Sequence, residues 1–195
     1  MQKKSKVKII IITIVLLIII SILAYISAWL VYYFSFNKYT KSVPFNNSEQ
    51  YYGYVLQEDD GYIYSVFKPD FMDFRGEISI TKQIILSSDP ENAVPFDCCE
   101  FLIFPSLNGK YEIWVTVSFY DGLAKKDEEE PEYYSTAPDE SYSFDLDSKL
   151  NLISDNTKEN QELLNKYMPM ILETYKKMYD KWGIGDETVI SQLGE

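Results

Sequence analysis

Residues 9–36 run for 28 positions without a charged side chain, and Lys3, Lys4, Lys6 and Lys8 stand immediately before them. As a helix this stretch would be about 42 Å long, against roughly 30 Å for the hydrocarbon core of a bilayer. It is expected to cross a membrane with length to spare, either tilted or extending into the headgroups. A cleaved secretory signal is the competing reading. Such a signal has an apolar region of about 7 to 15 residues ending in a small-x-small site, and Ile26-Ser27-Ala28 is a poor match. Trp29, Tyr32, Tyr33 and Phe34 suit the interfacial belt in which amphipathic rings collect. The division expected is a basic cytoplasmic flank over 1–8, an uncleaved signal-anchor over 9–36, a linker over 37–50 and one extracytoplasmic domain over 51–195.

Cytoplasmic flanks are the ones enriched in Lys and Arg. The four leading lysines, against only Lys38 and Lys41 on the near far side, place the N-terminus inside. Beyond the span, 14 basic side chains face 30 acidic ones, a net of −16. Such a domain repels nucleic acid and anionic lipid, both of which select basic patches. The wealth of Ile, Lys, Asn and Tyr and the scarcity of Ala and Arg suggest an AT-rich bacterial genome. A single-pass protein of a bacterial cell membrane, held in the lipid bilayer through 9–36, is the expectation.

NKYTKSVPFNNSEQ, residues 37–50, has no sustained period and reads as a tether. After it, Tyr51–Gln57 and Gly61–Phe67 are β-formers around a Glu-Asp-Asp-Gly turn. Ile78, Ile80, Ile84 and Leu86 mark a half-buried strand. Phe101–Phe104 and Lys110–Tyr120 flank Leu107-Asn108-Gly109, where Asn-Gly suggests a type I′ hairpin turn. Tyr111, Ile113, Val115, Val117 and Phe119 fall on one face of that second arm, and 141–146 is a candidate last strand. Leu164, Tyr167, Met168, Ile171, Tyr175, Met178 and Trp182 recur at helical spacing, predicting an amphipathic helix over 157–182. Asn156 with Glu159 forms a capping-box pattern, and Gly183 closes the helix. Pro169 either kinks this helix or opens the first turn of a second one. The fold class expected is α+β: an antiparallel sheet of about five or six strands with the C-terminal helix on one face.

The chain has no histidine, so it lacks the usual general base of Ser and Cys hydrolases and the commonest zinc ligand. Its eight glycines form no phosphate-binding loop. No catalytic, cofactor-binding or metal residue is therefore assigned, and the chain is not expected to be an enzyme. Carboxylates remain: Glu58, Asp59, Asp60, Asp70, Asp73 and Glu100 could in principle supply a glycosidase pair, although a solvated acid explains each. Cys98 and Cys99 are adjacent, so in a strand they face opposite ways and cannot pair with each other readily. An intermolecular bridge through Cys98 would need an exposed thiol.

Two features suggest binding. Tyrosine occurs 17 times, and Tyr52, Tyr54, Tyr62 and Tyr64 on the first hairpin are the candidate partner-binding face, because rings with a polar tip suit interfaces. Asp127, Glu128, Glu129, Glu130 and Glu132 form a candidate acidic docking loop; like-charge blocks are usually solvated, and this one lacks the glycine and alternation of a calcium loop. The function expected is a binding or assembly module contacting an envelope protein. The alternatives are a carboxylate-based cell-wall glycan hydrolase and a cation-responsive surface domain.

Overall fold

The computed structural model describes residues 2–46, 53–57, 61–72, 74–82, 96–106, 108–120, 138 and 140–191, with the side chains of 2–5, 46, 53–57 and 96 outside that description. A long helix α1 (Gln2–Ser35) and one turn, α2 (Asn37–Thr40), precede the strands β1 (Phe45–Asn46), β2 (Gly53–Gln57), β3 (Tyr62–Phe67), β4 (Glu77–Lys82), β5 (Phe96–Pro105), β6 (Tyr111–Tyr120) and β7 (Glu140–Leu146). The chain ends in α3 (Lys158–Trp182) and the short α4 (Glu187–Ser191). All seven strands form one sheet in chain order, each antiparallel to the next. This is the expected α+β architecture, with β1 a two-residue stub at one edge.

Period-2 alternation decides which face is buried. Ile78 and Ile80 of β4, Phe101 and Ile103 of β5, and Ile113, Val115 and Val117 of β6 are all fully buried. Directly opposed pairs such as Ile80 with Phe101 and Phe101 with Val115 keep them on one face. Helix α3 crosses this face, chiefly over β5, burying Leu164, Ile171, Tyr175 and Met178 completely. Each such side chain contributes about 1.5 to 3 kcal/mol of burial free energy, so the sheet–helix interface dominates domain stability. The opposite face carries Ser65, Ser79, Ser118 and Cys98, which are also buried, with the Ser65 and Ser79 hydroxyls hydrogen-bonded to each other.

Local signals shifted slightly in three dimensions. The cap of α3 is Thr157, whose hydroxyl accepts from the Asn160 amide at 3.1 Å, one residue beyond the expected Asn156. Gly183 closes the helix at φ 64, donating to Tyr179 at 2.8 Å. At the β5–β6 turn Gly109 is left-handed (φ 79) and Asn108 is not; Gly109 donates to the Ser106 carbonyl at 3.0 Å. With Asn108 outside the left-handed region, Asn-Gly does not form the expected type I′ turn, which needs both residues there.

The larger correction concerns residues 37–46 of the expected linker, 47–50 lying outside the described residues. Phe36, Tyr39 and Val43 are buried in the same core cluster as the sheet, and Phe45 and Asn46 pair with Tyr54 and Gly53. Residues 36–46 are therefore part of the domain. The polar composition that suggested a tether hides Tyr39 and Val43, which follow Phe36 at spacings of three and four, enough for a helical turn to seat on a core.

Helix α3 runs continuously through Pro169, whose side chain is exposed. Pro169→Ala restores the amide hydrogen bond to the preceding turn without opening a cavity. A gain of about 1 to 2 kcal/mol is expected, the helix term exceeding the unfolded-state entropy that proline removes. A higher urea midpoint at unchanged m-value supports the continuous helix; a lower midpoint counts against it.

Candidate functional site at the junction of helix and sheet

Helix α1 is long and apolar enough to cross a membrane, and none of its most apolar window is buried. Its last turns behave differently. Tyr25 Oη donates to the Phe71 carbonyl at 2.5 Å, Trp29 Nε1 to the Pro69 carbonyl at 3.2 Å, and Tyr32 Oη to the Pro105 carbonyl. Below α2, Trp182 Nε1 of α3 donates to the Tyr39 carbonyl at 3.1 Å. The seat of the helix is Phe36, fully buried: a Cβ placed on Gly76 would lie 2.3 Å from its Cζ. Gly76 is thus a matter of close approach, because only hydrogen leaves room for the ring.

Between the docked helix and the sheet lies an open cleft of about 460 Å³ lined by Tyr32, Phe74, Arg75, Phe104, Pro105, Ser106, Glu112 and Trp114. Arg75 is the sole arginine of the chain. Its guanidinium lies 3.9 Å from the Phe104 ring centre and 5.0 Å from that of Trp114, within cation–π range. Phe104 and Trp114 meet edge to face at 5.0 Å, and Trp114 Nε1 donates to Glu112 at 2.8 Å. On the opposite wall Phe74 stacks on Tyr32 with 9° between ring planes. Phe74 holds a left-handed φ of 57°, uncommon for an aromatic residue, and that conformation turns its ring to Tyr32. Trp114 is 40% exposed: Phe104 and Arg75 shield one side, and α3 lies on the other face.

Charge in and beside the cleft is mixed. Burial raises the carboxyl of the neighbouring Glu77 above its usual range, the Glu100 charge adds to this, and Arg75 opposes it. The cleft can stack on a ring, offer a cation and accept through Glu112. Among the described residues no group of three or more His, Cys, Asp or Glu is placed to hold a metal ion.

The expected tyrosine face is corrected at two of its four residues. Tyr62 and Tyr64 are 3% and 2% exposed, beneath α3. Tyr62 Oη donates to Glu173 at 3.2 Å, and Tyr64 meets Trp182 edge to face at 5.5 Å. A ring with a polar tip buries well when the hydroxyl finds a partner, and burial pushes the Tyr62 phenol up to about 12. Tyr54 pairs with Val66 in the ladder; its side chain, all of Tyr52, and Asp127, Glu128, Glu129, Glu130 and Glu132 lie outside the described residues. Of the carboxylates singled out, Asp70 accepts from the Met72 amide at 2.6 Å and Glu100 from Thr81 at 3.3 Å, whereas Glu58, Asp59, Asp60 and Asp73 are outside the description. The cleft residues carry no motif; the available signals were the solitary arginine and the outward position of Trp114 in its strand.

Cys98 and Cys99 point to opposite faces, as strand neighbours do, and both are buried free thiols. The exposed thiol needed for an intermolecular bridge is therefore lacking. Burial pushes Cys98 up to about 11 and Cys99 to about 12.

No family model matches the chain, and neither the curated proteins nor the solved structures contain a match.

Two outcomes follow from these contacts. Gly76→Ala is expected to destabilise the protein by about 1 to 3 kcal/mol through overpacking, and its cost should shrink in a Phe36→Leu background, because the two positions touch. Strict additivity in a urea-unfolding cycle would show that they do not share a seat. The raised thiol values stabilise the fold fully below the unfolded thiol value near 8.5, and this contribution is lost as pH rises through about 11 to 12. Unfolding midpoints should decline above about pH 8.5, with a shallower decline in Cys99→Ala; an unchanged slope refutes the thiol contribution.

Proposed function

We propose that this is a single-pass, membrane-anchored binding or assembly module of a bacterial envelope, with its N-terminus in the cytoplasm and its α+β domain outside. The orientation rests on the four lysines ahead of the span. The domain's surplus of acids speaks against nucleic acid and for a protein contact. The observation that carries the binding role is the cleft itself. Arg, Trp, Phe and Tyr are the residue types that dominate protein interfaces, and here Arg75, Trp114, Phe104 and Tyr32 line one open concavity.

The partner is a protein presenting an apolar or aromatic anchor beside a carboxylate, which would enter between Trp114 and Phe74 and meet Arg75. Because Tyr25, Trp29 and Tyr32 bind backbone carbonyls of the domain, the cleft is held at a fixed height above the apolar part of the helix. A partner anchored in the same membrane can meet it without searching orientations. That reduces the rotational cost of association.

A photo-crosslinking residue in place of Glu112 in the full-length chain, activated in intact cells, tests this reading. A discrete protein adduct is expected, and it should weaken at least tenfold when Trp114→Ala removes an anchor worth about 2 kcal/mol or more. Absence of any protein adduct would reject the protein-binding reading and return attention to glycan or cation chemistry at the surface.

A further inference from the structure

The apolar run is longer than a bilayer requires. Counted from Lys8, the last charge before it, about 30 Å of hydrocarbon takes up roughly 20 helical residues. That brings the outer boundary near Ala28, with Trp29 at the boundary and Tyr25 about one turn inside it. The segment between β3 and β4 descends to this level. Phe71 meets the rings of Tyr25 and Trp29 edge to face at 5.3 and 5.2 Å, and its carbonyl accepts from Tyr25.

Two neighbouring side chains of this segment are apolar and exposed. Phe71 is 41% and Met72 85% exposed. Its shape is held from within. Phe74 donates to the Asp70 carbonyl at 3.1 Å, Asp70 to the Arg75 carbonyl at 3.3 Å, and the Asp70 carboxylate takes the Met72 amide. Two large apolar side chains are therefore presented to the surroundings at the depth where acyl chains meet headgroups. In water that exposure is unfavourable; at the boundary the same side chains are buried in an apolar medium.

We propose that Phe71 and Met72 insert into the bilayer interface beside the spanning helix, giving the domain a second membrane contact. This rests on reading residues 9–28 as a bilayer span, and it concerns lipid, whereas the cleft concerns protein. The contact is made by apolar side chains flanked in sequence by the acidic Asp70 and Asp73, so anionic lipid is not required and a zwitterionic bilayer suffices. Two contacts, one helix and one loop, fix the tilt of the domain and hold the mouth of the cleft at a constant angle to the membrane.

The test uses the full-length chain in phosphatidylcholine vesicles, labelled with an environment-sensitive nitrobenzoxadiazole at one of three positions: Ile18→Cys, Met72→Cys or Glu159→Cys. The native thiols are buried. Glu159 lies at the far end of α3, about 35 Å along the helix from Trp182. Lipids carrying a nitroxide near the headgroup end or at the centre of the acyl chain serve as depth-specific quenchers. The Ile18 label is expected to lose emission to the central nitroxide, the Met72 label to the shallow one, and the Glu159 label to neither. Quenching at Ile18 with none at Met72 overturns the loop contact while the span stands. No quenching at Ile18 overturns the span and the loop contact together.

Discussion

The contact of Phe36 with Gly76 joins the two halves of this protein. A buried ring at the end of an apolar helix lies so close to a backbone position that only glycine fits. Around it, Tyr32 meets Phe36 edge to face, Tyr39 does the same from α2, and Trp182 binds the Tyr39 carbonyl. The end of α1 is thereby a structural element of the domain. An apolar helix meeting a folded unit has its surplus length taken up by a protein core instead of by lipid, which removes the mismatch that a run of this length otherwise meets by tilting.

The cleft is a consequence of that docking. One wall is Tyr32 of the helix and Phe74 of the β3–β4 segment; the other is Phe104 and Trp114 of the β5–β6 hairpin, with Arg75 over both of those rings. The helix supplies one of these walls through Tyr32, whose hydroxyl binds the Pro105 carbonyl at the foot of the other. The left-handed Phe74 is a local cost of order 1 kcal/mol, offset by its stacking on Tyr32. Strain of this kind persists where surrounding contacts determine the backbone, as the helix and the turn at Asp70 do here.

Much of the architecture was legible because it is periodic. Residues 111–119 alternate except at Trp114, and the structure buries Ile113, Val115 and Val117. The stripe from Leu164 to Trp182 became α3, and Gly183 its left-handed cap. The misreadings occurred where two local solutions compete. Asn156 and Thr157 are both good caps, and geometry chose the second. Asn-Gly supports several turns, and the span between Pro105 and Tyr111 selected one in which Gly109 is left-handed and Asn108 is not. Tyr62 and Tyr64 could serve an interface or a core equally well, and the position of α3 decided for the core.

The sequence by itself determined the helix long enough for a membrane, the antiparallel sheet with one amphipathic helix, and the lack of histidine-based chemistry. Each of these follows from composition or a short period, and neither depends on which distant segment lies nearby. Only the tertiary structure decided that residues 36–46 belong to the core, that Tyr62 and Tyr64 are hidden, and that Arg75, Trp114 and Tyr32 share a cleft. These depend on contacts between segments tens of residues apart: Tyr32 reaches Pro105, and Trp182 reaches Tyr39. No local pattern encodes such pairings, since they are set by how the whole buried surface packs.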